Sequence, residues 1–268
     1  MCRSRCGEKS RPHSPSEAGH KTRRLAFVTR RVTATIIANC STISSHMVRC
    51  HFCHVSNQRM NPDQHINIAQ IVPCTQAEGP GKRFAIWVQG CPLRCAECCN
   101  PEMLAFAGGS SISINDLLDQ ILQSRSQGIE GITLIGGEPF AQAEPLSALA
   151  DQIRSAGLGV MVFSGYTFAE LQAMATPHID AFLQHIDLLV DGRYDRTKPD
   201  SSRRWIGSTN QQIHFLTDRY SADDDYWKSS NTLEVRWDGR ELTVNGFPAK
   251  SATGLWKRTE HKKETSKP

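Results

Sequence analysis

The sequence of 268 residues predicts an α/β fold built on a parallel sheet, and three observations carry that expectation. From Ile66 onward, short apolar runs of strand type alternate with amphipathic stretches of helical period. Several runs end on Gly or Gly-Gly, which punctuates strand and helix ends. After Leu216 the alternation stops, and a hairpin signal takes over. The length accommodates one large domain or two small ones, with ample material for a buried core.

The elements follow in order. Arg83–Val88 reads as a buried strand that runs straight into a cysteine-rich loop. Ser113 reads as the N-cap of a helix whose Ile114, Leu117, Leu118, Ile121 and Leu122 recur at i, i+3, i+4, i+7 and i+8, with Gly128 ending it. Ile132–Ile135 is the next strand, closed by Gly136-Gly137. A helix over Glu144–Ser155, a strand over Val160–Phe163, a helical stretch over Phe168–Met174 and a strand over Leu188–Val190 complete the alternation. Repeated strand–helix units imply parallel strands with helices packed outside them. Thr232–Trp237 and Glu241–Val244 flank Asp238-Gly239-Arg240, and Asp-Gly accepts the positive φ angles of a tight hairpin turn.

Charge and thiols divide the chain unevenly. Residues 1–49 hold ten Lys or Arg against two acids, a local charge of +8, which leaves −4 for the remainder of a chain whose net charge is +4. A mildly acidic globular part argues against a nucleic-acid partner. Residues 1–62 lack a sustained period and read as a disordered extension, or as a stretch read from an upstream start with Met60 as the true one. A targeting peptide is the lesser alternative. Residues 219–250 form a C-terminal extension with the hairpin, and 251–268 a polar, lysine-rich tail. All ten cysteines fall within the first 99 residues, which suits metal binding in a reducing cytosol better than a disulfide scaffold. No stretch is long enough to cross a membrane, so the expected location is cytoplasmic.

Chemistry concentrates in two places. Cys91, Cys95 and Cys98 stand in the order C-x3-C-x2-C just past a strand, at the carboxyl end where α/β proteins form active sites. Soft thiolates select iron–sulfur clusters or zinc. No downstream cysteine pair exists to complete a zinc site. Three thiols on a cubane cluster would leave one iron open to substrate; the bland alternative is three small buried residues. The second place is Gly136-Gly137-Glu138-Pro139-Phe140, again after a strand. Two glycines let the backbone approach a ligand, and the carboxylate can accept from an ammonium group, although a plain turn reads the same way. Ser164-Gly165-Tyr166 is either a further ligand contact or a turn, and Asp191 either a loop cap or a substrate contact. Upstream, Cys50-His51-Phe52-Cys53-His54 matches the c-type haem pattern and could also be a zinc knuckle or chance composition.

With these residues in place, the chain resembles the radical S-adenosylmethionine (SAM) enzymes, and among them the activating proteins of anaerobic ribonucleoside-triphosphate reductase. The resemblance runs from about Ile66 to Leu216. It takes in Gly79-Pro80-Gly81 with Arg83, the cysteine loop through Asn100, Gly136 to Pro139, Ser164-Gly165-Tyr166-Thr167, Leu189 to Tyr194, and Trp205 with Gly207-Ser208-Thr209-Asn210-Gln211. It implies a compact, open (β/α) partial barrel of TIM type, with residues 63–218 as the radical SAM domain. It implies one 4Fe–4S cluster on Cys91, Cys95 and Cys98, with SAM chelating the fourth iron. Gly136, Gly137 and Glu138 would line the methionyl amine, with Pro139, Ser164 and Asn100 completing the cofactor contacts. Reductive cleavage of SAM would yield methionine and a 5′-deoxyadenosyl radical, which takes a hydrogen from a backbone glycine of the partner reductase. No catalytic side chain beyond cluster and cofactor is implied, and a low-potential flavodoxin or ferredoxin would supply the electron. Cys99 stands where these proteins carry an aromatic residue, and the hairpin lies past the usual end of the core. Activation or modification of another protein, or a non-catalytic 4Fe–4S electron-transfer module, are the competing functions.

Overall fold

The computed structural model describes residues 64–237, 239 and 242–247. The Cys50–His54 motif, Met60, most of the turn between the hairpin strands and the tail from residue 248 lie outside the described residues.

Strands β1 (His65–Thr75), β2 (Arg83–Val88), β3 (Ser110–Ser113), β4 (Gly131–Gly136), β5 (Gly159–Phe163), β6 (Leu188–Asp191) and β7 (Gln212–Phe215) form one sheet in the order β3-β1-β2-β4-β5-β6-β7. The pairs β2/β4, β4/β5 and β5/β6 are parallel, while β1/β2, β1/β3 and β6/β7 are antiparallel. The expected parallel sheet is therefore corrected to a mixed one with a parallel centre. The reason lies in the connections. Loop 76–82 between β1 and β2 is too short for a parallel crossover, and no helix lies between β6 and β7. No pairing joins β3 to β7 among the described residues, so the sheet is open.

Four helices, α1 (Ile114–Gln123), α2 (Ala143–Ser155), α3 (Phe168–Met174) and α4 (Pro177–Gln184), cover one face. Strand alternation decides which side chains meet them. Phe84, Ile86 and Val88 of β2, Ile132 and Leu134 of β4, and Val160 and Val162 of β5 join Leu117, Ile121, Leu146, Leu149, Ile153 and Phe182 in one core. Ser113 caps α1 as expected, accepting from the Asp116 amide at 3.1 Å. The helix ends at Gln123, however, and a 3₁₀ turn (Ser124–Gln127) carries the chain to Gly128, which has φ 80°. Thr167 and Glu170 form a reciprocal capping box on α3.

The opposite face packs against the segments after β6 and β7. Met161, Leu188 and Val190 meet Trp205, Ile206 and Tyr220. At the amino end of the parallel strands lies Arg83, fully buried, with burial working against its charge. Its guanidinium donates to Thr133 Oγ1 at 3.2 Å, Tyr220 OH at 2.8 Å, Gly159 O at 3.3 Å and the Ile132 carbonyl. That end lies opposite the end that carries the motifs. Strands β8 (Leu233–Trp237) and β9 (Leu242–Gly246) form the expected antiparallel hairpin, with β9 running two residues further than the sequence pattern predicts. Among the described residues no helix is long and apolar enough to cross a membrane.

Candidate functional site

All four parallel strands discharge their motifs at one edge, as open α/β sheets require of a ligand site. From β2 comes the cysteine loop, from β4 Gly136-Gly137-Glu138, from β5 Ser164-Gly165-Tyr166, and from β6 Asp191-Gly192-Arg193. The first two are bound backbone to backbone. The Gly137 amide donates to Val88 O at 2.8 Å, and the Glu138 amide to Gly90 O at 2.9 Å. A Cβ at position 137 would overlap that Gly90 carbonyl, so the glycine is what lets the loops touch.

The cysteine loop is closed on itself. The Gly90 amide donates to Met103 O at 2.9 Å and the Cys91 amide to Leu104 O at 3.2 Å. Gln89 spans the loop's base, donating from Nε2 to Glu102 O at 3.2 Å and Ala105 O at 2.7 Å. Gln142 anchors this base from the β4 side, donating to Asn67 O and Gln89 O and accepting from the Asn67 amide. Sequence reasoning missed this glutamine–asparagine brace, and no motif announces it.

Within the loop, Cys91 is buried, Cys95 and Cys98 are half-buried and Cys99 is exposed. The Cys98 amide donates to Cys95 O at 3.3 Å, and the Asn100 amide points at Cys98 Sγ at 3.4 Å. Asn100 therefore meets the sulfur through its backbone; its side chain makes no hydrogen bond among the described residues. Burial pushes the Cys95 thiol up, the charges of Cys91 and Cys98 add to this, and Arg193 opposes it. A hydrogen bond from Cys99 draws Cys98 down to about 6, while the same contact pushes Cys99 up.

Glu138 is fully buried and turned toward the β5 loop. Its carboxylate accepts from the Phe140 amide at 3.0 Å, Ser164 Oγ at 3.0 Å and the Gly165 amide at 2.8 Å. Burial raises its pKa to about 7, against the lowering effect of those three donors. Pro139 is buried and opens the 3₁₀ turn Pro139–Gln142. The structure thus brings Glu138, Ser164 and Gly165 together by side-chain contact, and Gly137 and Glu138 to the cysteine loop by backbone. Leu93 of the cysteine loop lies against Gly165, so three loops share one wall. Tyr166 feels Glu138 and Cys91 after burial, which is the larger influence, and Arg193 opposes them. Tyr166 and Arg193 are thus neighbours of the thiols, a placement that the sequence motifs containing them did not assign. Asp191 turns away instead, capping Phe168 N at 2.6 Å and meeting His214 Nε2 at 2.9 Å.

Buried Glu78, also raised to about 7 by desolvation, makes a second carboxyl of this kind. A folded-state pKa above the unfolded one means that the native protein holds protons the unfolded chain releases. Stability contributed by each group is complete below pH 4.5 and falls as pH rises to about 7. Glu138→Gln and Glu78→Gln should each flatten that decline, by on the order of 3 kcal/mol. Urea midpoints measured at pH 4.5 and 7.5 check this; an unchanged slope in both variants would show that neither carboxyl is held neutral.

Among the described residues no three His, Cys, Asp or Glu side chains gather tightly enough to hold a metal ion as they stand. The donor set nevertheless fits an iron–sulfur cluster. Three soft thiols lie on one short loop, their charges destabilise one another at Cys95, and a bound cationic metal would relieve that repulsion.

Comparison with known proteins agrees. The 4Fe-4S single cluster domain matches residues 77–214, about half of the chain. The chain belongs to that family. Curated relatives of the chain include proteins named anaerobic ribonucleoside-triphosphate reductase-activating protein. The Vibrio cholerae protein is 31% identical over 164 residues, covering 57% of this chain and 99% of the relative. The Escherichia coli K12 protein is 31% identical over 162 residues, covering 56% and 99%. The protein of Enterobacteria phage T4 is 26% identical over 167 residues, covering 61% and 99%. An iron–sulfur cofactor follows from the family. The matched span contains every motif of the site edge and ends in β7, short of the β8–β9 hairpin.

Proposed function

We propose that this chain is a radical SAM enzyme that activates a glycyl-radical partner, an anaerobic ribonucleoside-triphosphate reductase. The observation that carries the reading is the direct backbone seam between the C-x3-C-x2-C loop and Gly136-Gly137-Glu138. An isolated electron-transfer cluster needs no such second loop. The open sheet with helices on one face is read as the partial (β/α) barrel of that superfamily, with 63–218 as its domain. The names of the relatives support the partner.

Cys91, Cys95 and Cys98 hold the 4Fe–4S cluster, and the backbone at Gly136 and Gly137 receives the methionyl amine of SAM. A reduced cluster held on these thiols would supply the electron for reductive cleavage of bound SAM to methionine and a 5′-deoxyadenosyl radical. Glu138 works through its carboxylate as a positioning residue: it fixes Ser164 and the Gly165 amide, and with them the wall beside the cofactor. Pro139 sets the direction of the turn that carries it, and the Asn100 amide supports the Cys98 sulfur. A cytoplasmic flavodoxin or ferredoxin supplies the electron.

Anaerobic reconstitution with iron and sulfide, followed by dithionite and SAM, tests this reading. The expected product is 5′-deoxyadenosine, together with a glycyl-radical signal when the reductase is present. An iron-loaded protein that leaves SAM intact would be an electron carrier instead.

A further inference from the structure

The turn that follows Glu138 is fastened to the cysteine loop twice. One fastening is the backbone seam at Gly137 and Glu138. The other is a single side chain at the far end of the turn. The Gln142 carboxamide accepts from the Asn67 amide at 2.8 Å, and donates to Asn67 O at 2.9 Å and Gln89 O at 3.2 Å. Backbone pairing of β1 with β2 begins at Ile68 and Val88. One residue outside it, Gln142 offers Asn67 the acceptor and donor that a neighbouring strand would. The Gln89 amide shares the same Asn67 carbonyl at 2.9 Å. Asn67 and Gln89 in turn reach the loop's exit: Asn67 Nδ2 donates to Phe106 O at 3.3 Å, and Gln89 Nε2 to Ala105 O at 2.7 Å. A Cβ at Gly109, whose φ is 71°, would stand 2.7 Å from Asn67 Oδ1 and 2.8 Å from Ile68 O, so the chain closes tightly over this group.

We propose that Gln142 is a positioning residue for the cluster thiols, holding the base of the cysteine loop in register with the turn that carries Gly137 and Glu138. Its effect on catalysis rests on the function proposed above; its effect on the thiol loop does not. Three features separate positioning from ordinary cohesion. Gln142 occupies the N-cap position of α2, yet its side chain makes no cap bond and turns to the cysteine loop instead. A helix start forgoes the stabilisation of a cap, and such local departures gather at functional sites. All three of its hydrogen bonds go to main-chain atoms, so it fixes the path of the backbone. Gln89, which it holds on the β2 side, stands two residues before Cys91, the buried thiol of the loop. A shift in register would leave the Asn67 amide and the Gln89 carbonyl unpaired, a cost that apolar packing does not impose. The seam and the glutamine grip the two ends of one short turn, so neither loop moves without the other. What Gln142 contributes is pre-organisation: a ligand that spans both loops meets them already at their working separation.

The test uses the full-length chain with Gln142→Met, which keeps the length of the side chain and loses its hydrogen bonds. In the reduced, metal-free protein, alkylation of Cys91, read by peptide mass spectrometry, should quicken about tenfold while Cys74 in β1 keeps its rate. An unchanged Cys91 overturns the proposal. Equal acceleration at Cys74 overturns it as well, because the side chain would then support the sheet in general. Should Gln142→Met fail to fold, Gln142→Glu takes its place. It keeps the acceptor for the Asn67 amide but cannot donate to Gln89 O at neutral pH, and the same selective exposure of Cys91 is expected. In the reconstituted protein, iron content should match that of the unsubstituted chain. The SAM concentration giving half of the SAM-dependent change in the electron paramagnetic resonance spectrum of the reduced cluster should rise about tenfold. A titration that coincides with that of the unsubstituted chain overturns the coupling of the two loops. If the unsubstituted chain itself shows no such change and cleaves no SAM, the proposed function falls, while the alkylation rates still decide whether Gln142 holds the thiol loop.

Discussion

Cys98→Ala should lose the cluster and all SAM cleavage, whereas Cys99→Ala should keep both within about twofold. The two thiols are adjacent in sequence, and their pKa values are pushed in opposite directions. Cys98 accepts hydrogen bonds from Cys99 and from the Asn100 amide, and both lower its pKa and favour the thiolate. Cys99 supplies one of those hydrogen bonds, which raises its own pKa and favours the thiol form. A protonated thiol is neither a metal ligand nor a nucleophile. With two sulfurs left, the loop falls short of the three that hold a cubane with one open iron. Iron and sulfide content, the visible absorption of the reconstituted protein and 5′-deoxyadenosine yield read the result. Normal assembly in Cys98→Ala with failure in Cys99→Ala would reverse the ligand assignment.

The sequence shows the site more fully than the sheet around it. Residues at the carboxyl ends of the parallel strands carry their own punctuation, so β2, β4, β5 and β6 stand out by apolar runs closed by Gly or Ser-Gly. The antiparallel strands do not. β1 has bulges between Ile68 and Gln70 and between Val72 and Thr75, which break its alternation. It also contains Pro73, a residue that argues against an interior strand. The structure accommodates that proline because β3 pairs only His65–Ile68, leaving the later part of β1 an edge. β3 and β7 have four residues each, too few for a period, and α4 has eight. In the site, the Gly-Gly-Glu turn is legible as a motif, but its roles divide differently from the motif's wording. The carboxylate faces Ser164 and Gly165, a contact across 26 and 27 residues that no local pattern encodes. The hairpin is legible in its strands, but the outward turn of its apolar face depends on which side meets Gln76 and Cys74.

Gly137→Ala should leave the sheet folded and remove more than a hundredfold of SAM cleavage. The glycine stands where the two chemical loops meet. Its amide and that of Glu138 bind Val88 O and Gly90 O, and an added Cβ would overlap the Gly90 carbonyl and lie 2.8 Å from its carbon. The obstacle is backbone, held in turn by the Gly90 amide on Met103 O, so no side-chain rotation relieves it. Relief requires the loops to part, which breaks the Glu138–Gly90 bond and draws the carboxylate from Ser164 and Gly165. Each buried group left unpaired costs about 1–3 kcal/mol. Displacing a reacting cofactor by an ångström costs on the order of a hundredfold in rate. Gly165→Ala is the matching control. Its Cβ would also crowd a neighbour, Leu93 Cδ1 at 2.5 Å, but that neighbour is the end of a flexible side chain. Its loss should be severalfold at most. Circular dichroism, iron content, SAM affinity and 5′-deoxyadenosine yield separate loop displacement from unfolding. Comparable losses in both variants would place the cause in open space beside the glycines, where the cofactor lies, rather than in the seam between the loops.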